Sequence, residues 1–302
     1  MQRRPVDRLT LAAFLIAVLL LGANWVGVRI SNRELPPFWG AALRFAVAAA
    51  ILYAVVALRG IALPRGRALA GAALYGLGQY FVTFALIYWG LVAIPAGMTS
   101  VIFATLPLWT LFLAAAVGQE RLRAMNIVGA LVAIAGLAVI FSDQLTADVP
   151  PVRVAAILGA ALAGAGTSVT VKAFPRTHPV ATNAIGMTVG TPVLLLVSLL
   201  AGEPWTLPQQ TATWLAVGYL TLATVIGFVL LVWVIIRWTP SAAAYGAVLG
   251  PVVTVVLAAL LADEVFGPGF FVGALVVGAG VYLGAIAVAP RGSPAPTPTP
   301  AD

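Results

Sequence analysis

The sequence predicts an all-α integral membrane protein whose ten transmembrane helices form two inverted five-helix repeats, with both termini in the cytoplasm. Three observations carry this prediction. The chain is 62% hydrophobic and 8% charged, against about 25% charged residues in a typical soluble domain. Its second half repeats its first at a constant offset of 144 residues. Its positive residues collect on one side of the apolar segments, which is the pattern that sets membrane topology.

Apolar segments long enough to cross about 30 Å of hydrocarbon give the number of helices. No charged residue lies between Arg67 and Glu120, so a tight neutral turn must join the third and fourth spans. The N-terminus resembles a signal peptide, because basic residues precede an apolar run. Since nine further spans follow, we expect the first span to remain as an anchor. We predict spans at 9–28, 37–58, 68–89, 95–117, 124–141, 152–171, 181–201, 212–236, 240–262 and 269–289.

The positive residues then assign the two sides of the membrane. Three of them, Arg29, Arg33 and Arg153, fall on one side, while Arg44 lies within a span. Because cytoplasmic loops carry the positive excess, the opposite side is cytoplasmic and holds both termini, as in a multi-pass protein of the bacterial inner membrane. Twelve residues fall on that side: Arg3, Arg4, Arg8, Arg59, Arg65, Arg67, Arg121, Arg123, Lys172, Arg176, Arg237 and Arg291.

The constant offset indicates two copies of one unit. Pro107 recurs as Pro251, and Gly129 recurs as Gly273. Each copy holds five spans, an odd number, so the second copy must cross the membrane in the opposite direction. Inverted repeats are typical of transporters that bind their substrate between the copies. The predicted organisation is a cytoplasmic N-terminus at 1–8, a first repeat at 9–141, a periplasmic linker at 142–151, a second repeat at 152–289 and a disordered cytoplasmic tail at 290–302.

Short motifs make this pattern more specific. The first span contains Leu21-Gly22-Ala23-Asn24, the second contains Ala42-Leu43-Arg44-Phe45, and Pro107 is followed by Glu120-Arg121-Leu122 and then by Gly129 and Gly136. Pro251, Glu264, Gly273 and Gly280 repeat the last set. These motifs resemble those of the EamA family of the drug/metabolite transporter superfamily. The chain departs from that family at Leu21, where tryptophan is usual, and at Gly166-Thr167-Ser168, where a Trp-Ala pair is usual.

Polar and aromatic residues near the span centres are the candidate lining of a substrate cavity. Tyr75, Gln79 and Thr83 form one helical stripe, with Tyr80 beside it. An amide in the middle of a bilayer is costly unless it meets a partner or a wet cavity, and interhelical hydrogen bonding is the alternative. Serine and threonine also bond to their own helix, and tryptophan often anchors a helix at the interface. The remaining candidates are Asn24, Trp25, Thr99, Trp109, Ser168, Thr221, Thr224 and Tyr245.

Pro107 and Pro251 lie near the middle of the fourth and ninth spans. A proline inside a helix removes a hydrogen bond and clashes with the preceding turn, so both helices should kink. Their equivalent places in the two copies favour a role as hinges. The alternative is that neighbouring helices and hydroxyl groups absorb the kinks.

Arg44 is a formal charge well inside a span, and its counterpart in the second repeat is the neutral Thr188. Charges inside a membrane are candidates for function, and Arg44 could attract the carboxylate of a substrate. The alternative, which we favour from the sequence, is a structural ion pair with Asp263, Glu264 or Glu34.

Absent residue types exclude several chemistries. The chain has no cysteine and one histidine, so the sequence predicts no catalysis, no metal site and no cofactor, and the scattered arginines do not suggest nucleic acid. All nine carboxylates fall outside the span centres, which argues against a buried proton carrier and against cationic substrates.

We therefore expect a monomeric secondary transporter with two kinds of partner, a small-molecule substrate and the lipid bilayer. Resemblance to EamA-type exporters implies the efflux of small metabolites, with amino acids, including aromatic ones, as the best class. Export of sugars, nucleosides or drugs is the alternative within transport. Outside transport, the alternatives are a membrane scaffold, which would need large loops, and an intramembrane enzyme, which would need clustered His, Asp or Glu.

Overall fold

The computed structural model describes residues 8–145, 148–262 and 268–286, and every regular element within these ranges is a helix. A short helix, Ser142–Leu145, lies between the helix that ends at Ile140 and the one that begins at Pro151. The predicted tail and residues 1–7 lie outside the described residues. In chain order the helices are α1 (Arg8–Ser31), α2 (Pro37–Leu58), α3 (Arg67–Gly90), α4 (Ala96–Ala116), α5 (Ala124–Ile140), α6 (Pro151–Ala173), α7 (Pro179–Leu200), α8 (Thr211–Arg237), α9 (Pro240–Ala244 and Gly246–Ala262) and α10 (Pro268–Val281).

Seven of these helices, α1 to α4 and α6 to α8, are long and apolar enough to cross a membrane. The other apolar helices, α5, α9 and α10, are shorter within the described residues. Large apolar side chains such as Leu131, Leu200 and Leu222 are exposed on the outside of the bundle. Such a surface is stable when lipid rather than water covers it.

Proline and glycine mark many of the helix ends. Proline begins α2, α6, α7 and α9, where its fixed φ is already helical and its missing N–H costs no hydrogen bond. Gly60, Gly118 and Gly202 follow α2, α4 and α7 with φ values of 60°, 72° and 68°. This left-handed conformation ends a helix and is far less strained for glycine than for other residues.

The helices of the two halves pack against each other as equivalent pairs. Helix α2 packs on α7, and α5 packs on α10. Helix α1 packs on α8 and α9, while α6 packs on α3 and α4. Exchanging the halves converts each of these contacts into its counterpart, so the bundle has pseudo-two-fold symmetry.

Three of these interfaces depend on glycine. A Cβ atom on Gly76 of α3 would overlap the backbone at Gly186 of α7, and one on Gly129 of α5 would overlap the backbone of α10. A Cβ on Gly22 of α1 would lie 2.8 Å from the carbonyl oxygen of Gly250 of α9. Close backbone approach at small residues is a main source of helix association in membranes, where lipid competes for apolar contacts.

Several helices are interrupted near their middle. Helix α1 has a turn at Ala23, and α3 widens into a π-helix over Leu77–Thr83. Helix α4 breaks after Phe103 and resumes at Leu106, immediately before Pro107, which cannot donate to the preceding turn. Helix α9 has its turn at Tyr245, six residues before Pro251, which lies inside the continuous part of that helix.

Carboxylates at both ends of the bundle hold the starts of other helices. Glu203 accepts hydrogen bonds from the backbone N–H groups of Phe38 and Trp39, at 3.2 and 2.8 Å, at the start of α2. Glu120 accepts from the N–H of Ser241, at 2.9 Å, and from its hydroxyl, at the start of α9. Negative charge stabilises a helix N-terminus, so these contacts tie the two halves together.

Candidate functional site

A cavity of about 130 Å³ lies between the two halves, lined by residues of α1, α3, α4, α6, α8 and α9. This is roughly ten times the space that a single water molecule needs. The lining carries no charged side chain among the described residues. Five aromatic rings contribute to it: Phe14, Trp25, Phe84, Phe103 and Phe228.

The lining follows the internal repeat. Many of its residues come in pairs that are 144 positions apart in the sequence, one from each half. The cavity therefore lies on the pseudo-two-fold axis that relates the halves. The pairs are Asn24 and Ser168, Phe84 and Phe228, Ile87 and Leu231, Phe103 and Ala247, and Leu106 and Gly250.

Polar groups are few on this wall, and two of them lack a protein partner. Within the described residues, the side-chain oxygens Oδ1 of Asn24 and Oγ1 of Thr83 are buried without a hydrogen bond. Gln79 is fixed by its Oε1, which accepts a hydrogen bond of 2.9 Å from the Thr167 hydroxyl. Ser168 donates to the carbonyl of Gly164 in its own helix, at 3.3 Å. A buried polar atom without a partner costs about 1–3 kcal/mol, so Asn24 and Thr83 have unmet hydrogen-bonding capacity at this wall.

The π-helix of α3 explains which side chains reach the cavity. Gln79 and Thr83 lie within Leu77–Thr83 and line the wall. A π-turn has more residues than an α-turn, so it rotates the neighbouring side chains away from the positions that α-helical spacing predicts. Single π-turns occur often at functional sites, and this one lies at the centre of the bundle.

Tyr75 and Tyr80, which the sequence places beside Gln79, face α7 instead of the cavity. The Tyr75 hydroxyl donates to Oδ1 of Asn183 at 3.2 Å, and the Tyr80 hydroxyl donates to the same atom. The Asn183 amide donates in turn to the carbonyl of Phe228, at 3.3 Å. This buried cluster joins α3, α7 and α8 directly behind the cavity wall.

Of the predicted lining, Asn24, Trp25, Gln79, Thr83 and Ser168 meet at the cavity. The structure places the other predicted residues outside its lining, where several make contacts of their own. The Thr99 hydroxyl donates to the carbonyl of the residue just before α4, at 3.0 Å, and the Thr224 hydroxyl donates to a carbonyl within α8, at 2.7 Å. Thr221 is buried in α8. Tyr245 donates to the carbonyl of Asn126 at 3.3 Å, and Trp109 is 36% exposed at the surface.

Arg44 is completely buried in α2. Its guanidinium carbon lies 4.5 Å from the ring centre of Phe45, 4.7 Å from Phe84 and 5.6 Å from Tyr88. No guanidinium nitrogen has a well-formed hydrogen bond to a described residue, and the Tyr88 hydroxyl is the group that comes near enough to interact with it. A cation–π contact contributes about 0.5–2 kcal/mol, whereas burying an unpaired ion costs several kcal/mol. The three rings therefore offset only part of the cost.

Of the three carboxylates predicted to pair with Arg44, Glu34 is occupied elsewhere. It accepts hydrogen bonds from the backbone N–H groups of Gln209 and Gln210, at the start of α8. Asp263 and Glu264 lie outside the described residues. Among the described titratable groups, Tyr88 interacts with Arg44 through both its hydroxyl group and its charge distribution, and Tyr80 and Tyr219 act on it electrostatically.

Sequence reasoning missed several residues of this region. Asn183 was detectable, because an amide inside an apolar span is costly unless it has partners. Phe103 and Leu231 read as ordinary apolar residues of a membrane helix. Only their packing reveals that they form the cavity wall.

Comparisons with known proteins agree with this architecture. The sequence profile of the EamA-like transporter family matches residues 8–142 and 152–285. A protein named uncharacterized inner membrane transporter YedA, from Escherichia coli (strain K12), is 31% identical over 252 residues, covering 82% of this chain and 80% of that protein.

Two further relatives have names that mention amino acids. A probable amino-acid metabolite efflux pump of Escherichia coli (strain K12) is 27% identical over 283 residues, covering 89% of this chain and 92% of that protein. A probable terminal-alkyne amino-acid exporter of Streptantibioticus cattleyicolor is 30% identical over 242 residues, covering 80% of this chain and 81% of that protein. A solved crystal structure has the same fold, with a TM-score of 0.76 at 22% identity over 92% of this chain and 98% of that one.

Proposed function

The chain belongs to the EamA-like transporter family, and we propose on that premise that it exports small metabolites, most specifically amino acids, including aromatic ones. The cavity on the pseudo-two-fold axis carries this proposal. A neutral wall with five aromatic rings suits an aromatic side chain, and the unpartnered oxygens of Asn24 and Thr83 suit polar groups. The names of two relatives, which refer to amino acids, support the same substrate class.

We further propose a topology of ten spans in the bacterial inner membrane, with the two repeats inverted and both termini in the cytoplasm. The twelve-to-three distribution of positive residues supports this orientation. The odd number of spans in each repeat then requires the inversion. In a chain that has no cysteine of its own, cysteines at two exposed loop positions test the topology: Leu122→Cys should react only from the cytoplasmic side and Leu207→Cys only from the outside. Labelling of both from one side would exclude this topology.

Alternating access is the proposed mechanism, with one repeat rocking against the other around the cavity. The interrupted helices supply places where the backbone can bend, and the break before Pro107 is one of them. Pro251 is the proposed second hinge. Glu120 and Glu203 bridge the halves at opposite ends of the bundle, so opening one end would break one set of contacts.

Reconstitution of the purified full chain into liposomes tests this function. Liposomes loaded with labelled phenylalanine should lose the label faster than protein-free liposomes, and unlabelled amino acids inside should slow that loss. Equal loss of label from the two preparations, whichever way the protein is inserted in the liposome, would exclude export of aromatic amino acids. Faster release of labelled glucose or uridine than of phenylalanine would assign the chain to the alternative class of sugars or nucleosides.

A further inference from the structure

We propose that Arg44 binds the carboxylate of the exported molecule when the Phe84 side chain leaves its place between the guanidinium and the cavity. The inference deepens the proposed function and rests on it. It makes Arg44 a binding residue that a substrate reaches during the transport cycle, although its side chain is outside the cavity lining in this conformation.

The Arg44 side chain has unmet hydrogen-bonding capacity. A guanidinium has five N–H donors in a planar fork; none of its nitrogens has a well-formed hydrogen bond to a described residue, and a single neutral hydroxyl, that of Tyr88, lies near enough to interact with it. The rings of Phe45, Phe84 and Tyr88 attract its charge through their faces, but a ring face does not replace a carboxylate as a bidentate acceptor. A carboxylate fits the fork with two parallel, charge-assisted bonds.

The position of Phe84 links Arg44 to the cavity. Phe84 lies 4.7 Å from the guanidinium carbon and also forms part of the cavity wall. Its ring packs edge-on against Phe228, at 5.6 Å between ring centres, and Phe228 lines the same cavity. One aromatic side chain thus touches both the ligand space and the buried cation. Rotation of that side chain, or a shift of α8 that carries Phe228 away, would connect them.

The groups of an amino acid match the cavity wall together with Arg44 behind it. An amino acid carries a carboxylate, an ammonium group and a side chain, and each has a matching group in this region. The Arg44 guanidinium matches the carboxylate, the unpartnered Oδ1 of Asn24 accepts from the ammonium, and the aromatic wall surrounds the side chain. Because the second half has Thr188 at the position equivalent to Arg44, this site exists once and gives the substrate one orientation.

Binding to the purified full chain in lipid nanodiscs tests the assignment with two probes, phenylalanine and phenylalaninamide. At about pH 6, below the pKa of an α-amino group next to an amide, they share the ring and the ammonium group, and the amide lacks the carboxylate charge. Wild type should bind phenylalanine on the order of tenfold more tightly, the effect of one additional charge-assisted pair. Arg44→Gln should bind the two probes with equal affinity. A preference for phenylalanine that survives Arg44→Gln would overturn the assignment.

Arg153→Gln is the matched control, because Arg153 also stacks on an aromatic ring, at 3.7 Å from the Trp89 centre, and lies outside the cavity lining. It should leave the preference for phenylalanine unchanged. Arg44→Lys keeps the charge but loses the bidentate fork, so its preference should fall between those of wild type and Arg44→Gln. An Arg44→Lys protein with the full wild-type preference would also contradict a bidentate site.

The thermal stability of the empty protein separates binding from a structural role. Arg44→Gln removes a buried charge whose cost the surrounding rings offset only in part, so its melting temperature should equal or exceed that of wild type. A marked fall would identify Arg44 as a packing element and overturn the assignment. If wild type binds and exports neither probe, the proposed export of amino acids fails; if it exports phenylalanine and Arg44→Gln keeps the preference, only the role of Arg44 fails.

Discussion

Helices α3 and α8 occupy equivalent positions in the two halves, and their apolar residues at the cavity agree. Phe84 of α3 and Phe228 of α8 are 144 positions apart, line the same cavity, and contact each other at 77° between ring planes. Ile87 and Leu231 form a second equivalent pair in the lining. The duplicated unit has therefore kept one apolar framework in both copies.

The polar residues of these two helices differ. Gln79 and Thr83 of α3 face the cavity, where α8 has Ala223 and Gly227 at the equivalent positions. The backbone differs as well, since α3 contains a π-helix and α8 is one continuous α-helix. Because the apolar framework is symmetric and these polar groups come from α3 alone, we predict that α3 contributes more than α8 to recognition of the substrate.

Filling the space that α3 and α8 share should have the largest effect on transport. Gly164 of α6 lines the cavity, and a Cβ there would point at Leu106 and Phe103, at 3.1 and 3.7 Å. Gly164→Trp should lower the rate of phenylalanine efflux from liposomes at least about tenfold, because the indole takes up the volume that the ligand needs.

Gly166→Trp, two residues along the same helix, is the matched control. A Cβ at Gly166 has no heavy atom within 4 Å, so the indole extends into open space and efflux should stay close to the wild-type rate. If both variants transport normally, with normal elution in gel filtration, the ligand space is not this cavity.

The framework of this molecule follows from its sequence more directly than its binding surface does. In a membrane protein, the length of an apolar segment is the main sequence signal for a helix. The spans predicted at 37–58 and 124–141 accordingly agree with the bounds of α2 and α5 to within one residue. The π-helix of α3 has no comparable signal. It turns Tyr80 toward Asn183 and leaves Gln79 on the wall, an arrangement that α-helical spacing does not predict.

The environment of Arg44 shows the same limit. The position of Arg44 within its apolar segment predicts that it lies inside the membrane, and its charge predicts that it needs a partner there. The identity of its neighbours depends on how α2 packs against α3, which brings Phe84 and Tyr88 to the guanidinium. The residue pattern of a single helix does not predict a contact between two helices.

Removing a polar side chain that α3 has and α8 lacks should have an intermediate effect on substrate binding. Gln79→Leu replaces the amide with an apolar side chain of similar size. We expect phenylalanine to bind about tenfold more weakly, corresponding to roughly 1.4 kcal/mol for the hydrogen bonds that the amide makes. Isothermal titration of the protein in nanodiscs would measure this loss.

Thr224→Val on α8 is the control for that comparison. The Thr224 hydroxyl donates to the carbonyl of Leu220 in its own helix, at 2.7 Å, and lies outside the cavity lining. Its removal should leave the affinity for phenylalanine almost unchanged. If Gln79→Leu and Thr224→Val weaken phenylalanine binding equally, the two halves contribute alike, and α3 has no special part in recognition.

The smallest expected effect concerns how the two helices begin. Helix α3 starts after Gly66 without a side-chain cap, whereas Glu34 holds the start of α8. The Thr213 hydroxyl, together with the backbone N–H groups of Gln209 and Gln210, lowers the pKa of Glu34 below its ordinary value of 4.5. Ionised Glu34 therefore stabilises the folded protein above pH 4.5, and this contribution is lost as the pH falls through the lowered pKa.

Glu34→Gln should accordingly lower the melting temperature slightly at pH 7, and the difference from wild type should vanish at a pH well below 4.5. Asp148→Asn, which removes a carboxylate from an exposed loop position, should leave the melting temperature unchanged at both values. Because Glu34 is only partly buried, salt should weaken its contribution at pH 7. A difference between Glu34→Gln and wild type that persists at low pH would mean that the side chain acts through packing, and that α8 is not held by charge at its start.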